Sequence, residues 1–177
     1  MKELSFRTDV LPLKDELFRL ALRITLNRAD AEDVVQETML KVWNRRETWA
    51  EVESMEAFCL TICRNVALDK IKRADNQHAS LDDGTAGVRS YEHADHSYDA
   101  NPEEQAVQRD RVALVRKLIN QLPEKQRTCM QLRDMEGKAY KDIAQVLDIS
   151  EQQVKVNIFR ARQAIKEKFQ QLEQHGL

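Results

Sequence analysis

Glycine and proline are scarce in this sequence of 177 residues, which has four glycines and three prolines. Strand-rich folds need many tight turns, so this scarcity argues against sandwiches and barrels and favours helices joined by few connections. A run of about eighteen apolar residues, as a membrane-spanning helix requires, is lacking, and the charged N-terminal stretch does not resemble a secretory signal. We therefore expect an all-α protein that stays in the cytoplasm.

Cysteine and histidine are also few, with three and four copies. An odd number of cysteines gives no disulfide framework, which is typical of a reducing compartment. Cys59 and Cys63 lie one helical turn apart but do not provide the four closely spaced ligands of a structural zinc site. Glu-x-x-His pairs and glycine-rich phosphate loops are missing too. We expect no metal, no cofactor and no catalytic residue.

Charge is unevenly distributed, although the net charge is only −2. Residues 1–73 carry 13 basic and 13 acidic side chains, residues 74–110 carry 2 and 9, and residues 111–177 carry 13 and 8. Such asymmetry is more informative than the total. The basic C-terminal part is suited to contact phosphate, whereas the acidic middle part would be repelled by it.

Apolar periodicity divides the chain into two helical blocks. Residues 1–73 are predicted to form three helices, with Asp30 as the N-cap of the second. Residues 74–102 carry no sustained apolar period and are interpreted as a flexible acidic linker. Residues 103–177 form the second block. The predicted fold is therefore two small helical domains joined by this linker.

The second block contains a pattern typical of a helix-turn-helix. Residues 140–147 form its first helix, Ile149 fills the turn, and Ser150 caps the second helix. The exposed face of that helix is rich in amide and basic side chains, which can read base edges or bind phosphate: Gln152, Gln153, Lys155, Val156, Asn157, Arg160 and Arg162. An amphipathic helix pair with a merely solvated charged face is the alternative interpretation.

Three stretches, taken in order, resemble the extracytoplasmic-function (ECF) sigma factors of the sigma-70 family. Residues 17–23 and 28–38 resemble the conserved second region of that family, residues 58–73 its promoter-melting helix, and residues 122–127 with the helix-turn-helix its fourth region. The resemblance implies a factor that binds core RNA polymerase and directs promoter-specific initiation. It also implies sigma region 2 in residues 1–73 and region 4 in residues 103–177.

The resemblance assigns tasks to particular residues. Asp33, Gln36 and Glu37 would dock on the clamp helices of the largest polymerase subunit, and region 4 would meet the flap of the second largest. The minus-ten element would be read and held by Asn65, Asp69, Lys72 and Arg73, with Arg46 and Trp49 in the preceding loop as candidates for capturing a flipped base. Trp43 is expected in the core. The minus-thirty-five element would meet the exposed face of the helix-turn-helix.

This sequence departs from the family pattern at positions 153, 156 and 157, so the promoter sequence does not carry over from relatives. An anti-sigma factor is a further partner that the resemblance implies. The rival interpretation is a free-standing regulator that binds duplex DNA as a dimer through its helix-turn-helix. Dependence on polymerase distinguishes the two.

Overall fold

The computed structural model describes residues 4–79 and 102–175, and every regular element in these two ranges is helical. Two short turns, Phe6–Val10 and Leu11–Leu13, precede α1 (Lys14–Thr25), α2 (Arg28–Asn44) and α3 (Met55–Ala79). These three helices pack against one another in pairs and bury their apolar stripes. Each fully buried leucine contributes about 1.5–3 kcal/mol to this packing. We call residues 4–79 the N-unit.

The break between α1 and α2 is set by two residues. Leu26 takes a left-handed conformation with a φ of 54° and ends α1. Asn27 then caps α2, because its side-chain oxygen accepts the backbone N–H of Asp30 at 3.0 Å. The prediction that Asp30 itself is the N-cap was wrong. Both residue types are good caps, and only the backbone shows which one is used.

The segment after α2 reverses the expected roles of the two tryptophans. Trp49 lies in a short 3₁₀ turn, Arg46–Glu51, and is only 5% exposed. Its indole N–H donates to the carbonyl of Val42 at 3.2 Å, so the ring is anchored inside the N-unit. Trp43, which was expected in the core, is 46% exposed. Its ring makes edge contacts with the rings of Phe6 and Trp49.

Helix α3 is longer than the sequence indicated. It continues through residues 74–79, which were predicted to begin the linker. Residues 80–101, the rest of that linker, lie outside the described part of the chain. The second described range begins with Pro102 at the first position of α4, where its fixed φ suits a helix start.

The second range, which we call the C-unit, holds α4 (Pro102–Asn120), α5 (Glu124–Met130), α6 (Tyr140–Leu147) and α7 (Glu151–Gln174). A π-helical turn, Gln131–Met135, extends α5, and Gly137 follows with a φ of +69°. Helices α6 and α7 form the predicted helix-turn-helix. Asp148 turns the chain with a φ of 54°, and Ser150 caps α7, as expected.

The two units pack against each other. Helix α3 contacts α6, and α1 contacts α5 and the turn after it. Buried apolar residues of both units form one continuous cluster, in which Leu17 and Leu60 join Leu132 and Ile143. A smaller cluster around Ile119 holds α4 to α5 and α7. The all-α prediction with two small domains is confirmed, and the domains share an interface that the sequence pattern did not predict.

Candidate functional site

The exposed edge of α2 brings together the three residues predicted to bind polymerase. Asp33 and Gln36 are exposed and Glu37 is half-buried, while Val34 and Val35 on the other side of the helix are in the core. Both carboxylates have surface cationic partners. The Lys70 ammonium lies 3.2 Å from Asp33 and the Lys41 ammonium 3.0 Å from Glu37. Such exposed pairs are weak, so they leave the carboxylates available to another basic surface.

Leu40 is a surface residue on this edge that sequence reasoning missed. It is 64% exposed, and it follows Asp33 by seven residues and Gln36 by four. That spacing puts all three on one face of a helix. In the sequence, the spacing of seven residues between Asp33 and Leu40 was the feature that could have placed Leu40 on this face. The exposed leucine adds apolar area to a surface that is otherwise made of amides and carboxylates.

A polar stripe runs along α3. Asn65, Asp69, Lys72 and Arg73 are all exposed, whereas Val66 and Ala67 are buried between them. Positions 65, 69 and 72 are separated by four and three residues, so they lie one above the other on the helix surface. The stripe therefore combines an amide that can pair with a base edge and cations that can hold phosphate.

The loop residues predicted to capture a base are separated by the fold. Arg46 is exposed, stacks over the Trp43 ring at 4.9 Å, and donates to the Trp43 carbonyl at 3.3 Å. Trp49 is buried and cannot offer a ring face to a base, so its inclusion was a misassignment. The 3₁₀ turn directs the Trp49 ring inward. Such a short turn leaves no apolar period in the sequence, so its burial could not be predicted from periodicity.

The exposed face of α7 carries all of the side chains predicted to meet the minus-thirty-five element. Gln152, Lys155, Val156 and Arg160 are exposed to solvent. They line shallow grooves on this face together with Gln153 and Asn157. The same grooves include Phe159, which is 68% exposed, and Lys125 at the start of α5. Sequence reasoning missed both. Lys125 comes from a different helix, whereas Phe159 lies on α7 itself.

Two of these amide side chains, Gln153 and Asn157, also make hydrogen bonds that stabilise the first turns of α7. The Gln153 side chain accepts the Ser150 backbone N–H at 3.0 Å, and its own backbone N–H donates to the Ser150 hydroxyl at 3.1 Å. This is a capping box, with an amide in the third helical position. Asn157 donates to the Gln153 carbonyl at 2.8 Å. Gln153 keeps its amide N–H groups, and Asn157 its side-chain oxygen, for a base.

Two cations on this unit are also engaged. Lys155 lies 5.3 Å from the centre of the Tyr140 ring. Arg162, predicted to contact phosphate, donates to both carboxylate oxygens of Asp134, from Nε at 3.0 Å and from Nη2. Reaching a phosphate would require Arg162 to leave this pair, whereas Arg160 is exposed to solvent and lines the groove.

Groups that would hold a metal or react as nucleophiles are not assembled in the described residues. These residues contain no cluster of three His, Cys, Asp or Glu side chains suited to a metal ion. Burial raises the pKa of the Cys59, Cys63 and Cys129 thiols to about 12. None of the helices described is long and apolar enough to cross a bilayer.

Comparison with known proteins identifies the family. A profile of sigma-70 region 2 matches residues 10–77, and a profile of sigma-70 region 4 matches residues 113–165. The RNA polymerase sigma-H factor of Pseudomonas aeruginosa is 32% identical over 165 residues, which are 92% of this chain and 85% of that protein. The chain belongs to the sigma-70 family. It is an ECF-type sigma factor, and it directs promoter-specific transcription initiation with core RNA polymerase.

Another curated relative and two solved structures are also similar to this sigma factor. The ECF RNA polymerase sigma-E factor of Haemophilus influenzae is 29% identical over 148 residues, which are 83% of this chain and 78% of that protein. Among solved structures, the sigma factor RpoE of Bartonella quintana, bound to the anti-sigma factor NepR, has a TM-score of 0.77 at 21% identity and covers 93% of this chain and 96% of its own. CnrH, bound to the cytosolic domain of CnrY, has a TM-score of 0.63 at 20% identity and covers 93% and 87%.

Family membership decides between the two functional interpretations. A free-standing dimeric regulator needs only the helix-turn-helix to resemble a known DNA-binding module. This sigma factor matches the family in both units and in the correct order. The free-standing regulator is therefore disfavoured. The region 2 match covers residues 10–77 and so includes both α2, the helix predicted to dock on polymerase, and most of α3.

Proposed function

We propose that the N-unit docks on core polymerase through the α2 edge formed by Asp33, Gln36, Glu37 and Leu40. The observation that carries this proposal is the coincidence, on one exposed face, of two carboxylates, an amide and a 64% exposed leucine. The opposite side of the same helix contributes Val34, Val35 and Val42 to the core. Carboxylates set register and association rate against a basic partner surface, and the leucine supplies an apolar anchor.

The α3 stripe is proposed to hold the opened minus-ten element. An amide such as Asn65 can bond the Watson–Crick edge of an unstacked base, and Lys72 and Arg73 follow about two helical turns later to hold the DNA backbone. Arg46 is the remaining loop candidate. Holding unpaired bases offsets the few kcal/mol that unpairing costs, so strand opening needs no covalent step.

The α7 face is proposed to read the minus-thirty-five element as duplex. Gln152, Gln153 and Asn157 offer amides, Val156 offers an apolar contact for a thymine methyl, and Arg160 reaches guanine or phosphate. Lys125 adds a phosphate contact from α5. We further propose that region 4 meets the flap of the second-largest polymerase subunit, that the factor acts in the cytoplasm with no catalytic step of its own, and that an anti-sigma factor restrains it.

The test of the docking edge is the affinity of each variant for purified core polymerase, measured by titration, with run-off transcription on the protein's own genomic DNA as the functional readout. We expect Asp33→Arg to lower polymerase affinity at least tenfold, because it places a cation against a basic surface. Glu104→Arg is the matched control, since it makes the same charge change at an exposed position in α4. Equal affinities for both variants and the unaltered chain, with helical content unchanged, would show that polymerase binds elsewhere.

A further inference from the structure

A lysine of α3 joins the edge proposed to bind polymerase to the stripe proposed to hold DNA. The Lys70 ammonium lies 3.2 Å from an oxygen of Asp33 and 3.9 Å from an oxygen of Asp30, both on α2. The Lys70 side chain is 33% exposed, and those of Asp30 and Asp33 are 36% and 63% exposed. Asp30, which does not cap α2, therefore contributes to this contact, and one cation of α3 serves two carboxylates on the surface of α2.

The two carboxylates of the docking edge differ in where their cation comes from. Glu37 pairs with Lys41, one turn later on the same helix, at 3.0 Å. A local pair of this kind stays within the docking surface when a partner binds. Asp33 instead accepts a hydrogen bond from Lys70, 37 positions away on the other helix. A partner that occupies Asp33 therefore acts directly on a residue of α3.

Lys70 lies beside the polar stripe of α3 rather than within it. It follows Asp69 directly and precedes Arg73 by three residues. At about 100° per residue, Lys70 is therefore about 60° around the helix from Arg73. A lysine ammonium is a compact charge on a flexible stem of four carbons. Rotation of this stem can carry the charge from the α2 side of the helix toward Arg73 without a change in the backbone.

The pair between Lys70 and the α2 carboxylates is easily exchanged. Exposed lysine–carboxylate pairs are weak, because the gain in attraction is small in water and both side chains lose freedom when they pair. A basic polymerase surface over Asp33 would also repel the Lys70 ammonium, since like charges in contact are unfavourable. DNA phosphates beside the stripe attract the same ammonium. Both forces direct Lys70 away from α2 once polymerase is bound.

We propose that Lys70 is a positioning residue that couples polymerase docking to DNA binding. In the free sigma factor it neutralises Asp33 and Asp30. When polymerase occupies Asp33, the ammonium leaves α2 and binds the backbone of the opened minus-ten strand beside Arg73. Docking thereby adds one phosphate contact to the α3 stripe. This inference rests on the proposed roles of α2 and α3, and it adds a link between them.

Because Lys70 exchanges partners, removing its charge should have two effects of opposite sign. Lys70→Gln keeps a polar side chain but loses the charge. We expect it to raise the affinity for core polymerase about two- to fivefold, since Asp33 no longer has an internal competitor. We expect it to lower the affinity of the assembled holoenzyme for minus-ten DNA by a similar factor. A residue that only stabilised the fold would lower both affinities when replaced.

The first measurement is a titration of core polymerase with the full-length factor. Asp33→Asn, Lys70→Gln and the double variant form a thermodynamic cycle with the unaltered chain. We expect the gain from Lys70→Gln to disappear for the most part when Asp33→Asn is already present, because the competition needs the carboxylate. An undiminished gain in that background, or no gain in either background, would overturn the proposal.

The second measurement is the binding of the holoenzyme to a fluorescent single-stranded oligonucleotide at several salt concentrations. The oligonucleotide carries the non-template minus-ten element of a promoter mapped by run-off transcription. Each phosphate contact contributes about 0.7 to the slope of log affinity against log salt on a single strand. We expect Lys70→Gln to reduce that slope by about this amount. An unchanged affinity and slope would show that Lys70 does not reach DNA, and the coupling would be refuted.

Two matched variants separate this exchange from a general effect of charge. Lys72→Gln removes an exposed cation of the stripe itself, so it should weaken DNA binding without raising the affinity for polymerase. A gain for Lys72→Gln as large as that for Lys70→Gln would contradict a specific competition for Asp33. Lys70→Arg keeps the charge and should bring both affinities back to within about twofold of the unaltered chain.

Loss of the exchange and loss of the docking edge give different results. If Asp33→Asn leaves the affinity for polymerase unchanged, Asp33 is not a docking residue, and both the edge and the exchange fail. If Asp33→Asn weakens docking but Lys70→Gln does not strengthen it, the docking edge stands and only the exchange fails. Helical content and a cooperative melt show that each variant is folded.

Discussion

The N-unit and the C-unit differ in whether their proposed contact residues also stabilise the fold. In the N-unit, α2 and α3 each bury one face in the shared core and expose the other to solvent. The proposed contact residues on the exposed faces therefore contribute little to the stability of the fold. In the C-unit, residues on the α7 face also maintain the fold, because Gln153 and Asn157 bond Ser150 and the helix backbone. Changes at the N-unit surfaces should therefore affect function alone, and changes in the C-unit should affect function and stability together.

The largest expected effect is the difference in the reaction rate of the three thiols between the native and the denatured chain. A pKa raised from 9.0 to about 12 reduces the thiolate fraction about a thousandfold at pH 8, and thiolate is the reactive form. We expect Cys59, Cys63 and Cys129 all to react slowly with a thiol reagent in the native chain and rapidly in denaturant. Rapid native labelling of Cys129 alone would show that the C-unit core opens independently of the N-unit.

Matched isoleucines compare the two cores. Ile24 in α1 is 1% exposed, whereas Ile165 in α7 is only partly buried. We expect Ile24→Ala to lower the free energy of unfolding by about 2–5 kcal/mol. Ile165→Ala should lower it by about 1 kcal/mol, since less apolar area is lost. Chemical denaturation followed by circular dichroism measures both, and equal losses would contradict the larger role given to the shared cluster.

Matched asparagines compare the two DNA-reading surfaces. We expect Asn65→Ala to slow promoter opening about tenfold with little change in initial binding, because its partner is an unpaired base. Asn157→Ala should weaken initial binding by a similar factor, because its partner is duplex. Filter binding and fluorescence detection of strand opening separate the two steps. A loss of both steps to the same extent in Asn65→Ala would argue against base capture by α3.

The smallest expected effect separates the two roles of Gln153. Gln153→Glu keeps an oxygen that accepts the Ser150 N–H and adds a negative charge near the helix start, so stability should be preserved. Gln153→Ala loses the acceptor and should cost about 0.5–1.5 kcal/mol, the usual net value of one hydrogen bond. Both variants lose the amide donor and should bind the minus-thirty-five element less tightly. Normal binding by Gln153→Glu would limit this residue to a structural role.

Much of this architecture follows from local sequence. Helical periodicity locates the helices, and the Ser150 cap with glutamine three residues later marks the start of α7. Competing local signals explain most of the errors. Asn27 and Asp30 are both suitable caps, and α3 continues through residues 74–79 although their side chains show no apolar period. Trp49 is buried because a short 3₁₀ turn, which leaves no periodic pattern, directs its ring inward.

The interface between the units was not predictable from sequence. Arg19 and Glu136 are 117 positions apart, and each is an ordinary member of a charged helix surface when considered alone. Arg64 and Lys138 likewise look like solvent-exposed cations. Only the packing of α3 on α6 and of α1 on α5 turns these charges into specific pairs. The proposed contact residues, by contrast, lie on exposed faces whose composition is visible in the sequence, although Leu40 and Lys125 were recognised only from the fold.

Site-specific photo-cross-linking in the polymerase–promoter complex tests the division of labour between the units most directly. A photoreactive amino acid replaces Asp69 in one protein and Arg160 in another, and the cross-linked DNA positions are mapped. We expect the probe in α3 to react only at the minus-ten element and the probe in α7 only at the minus-thirty-five element. Reaction of both probes at the same element, or of the α3 probe at the upstream element, would contradict the assignment of one promoter element to each unit.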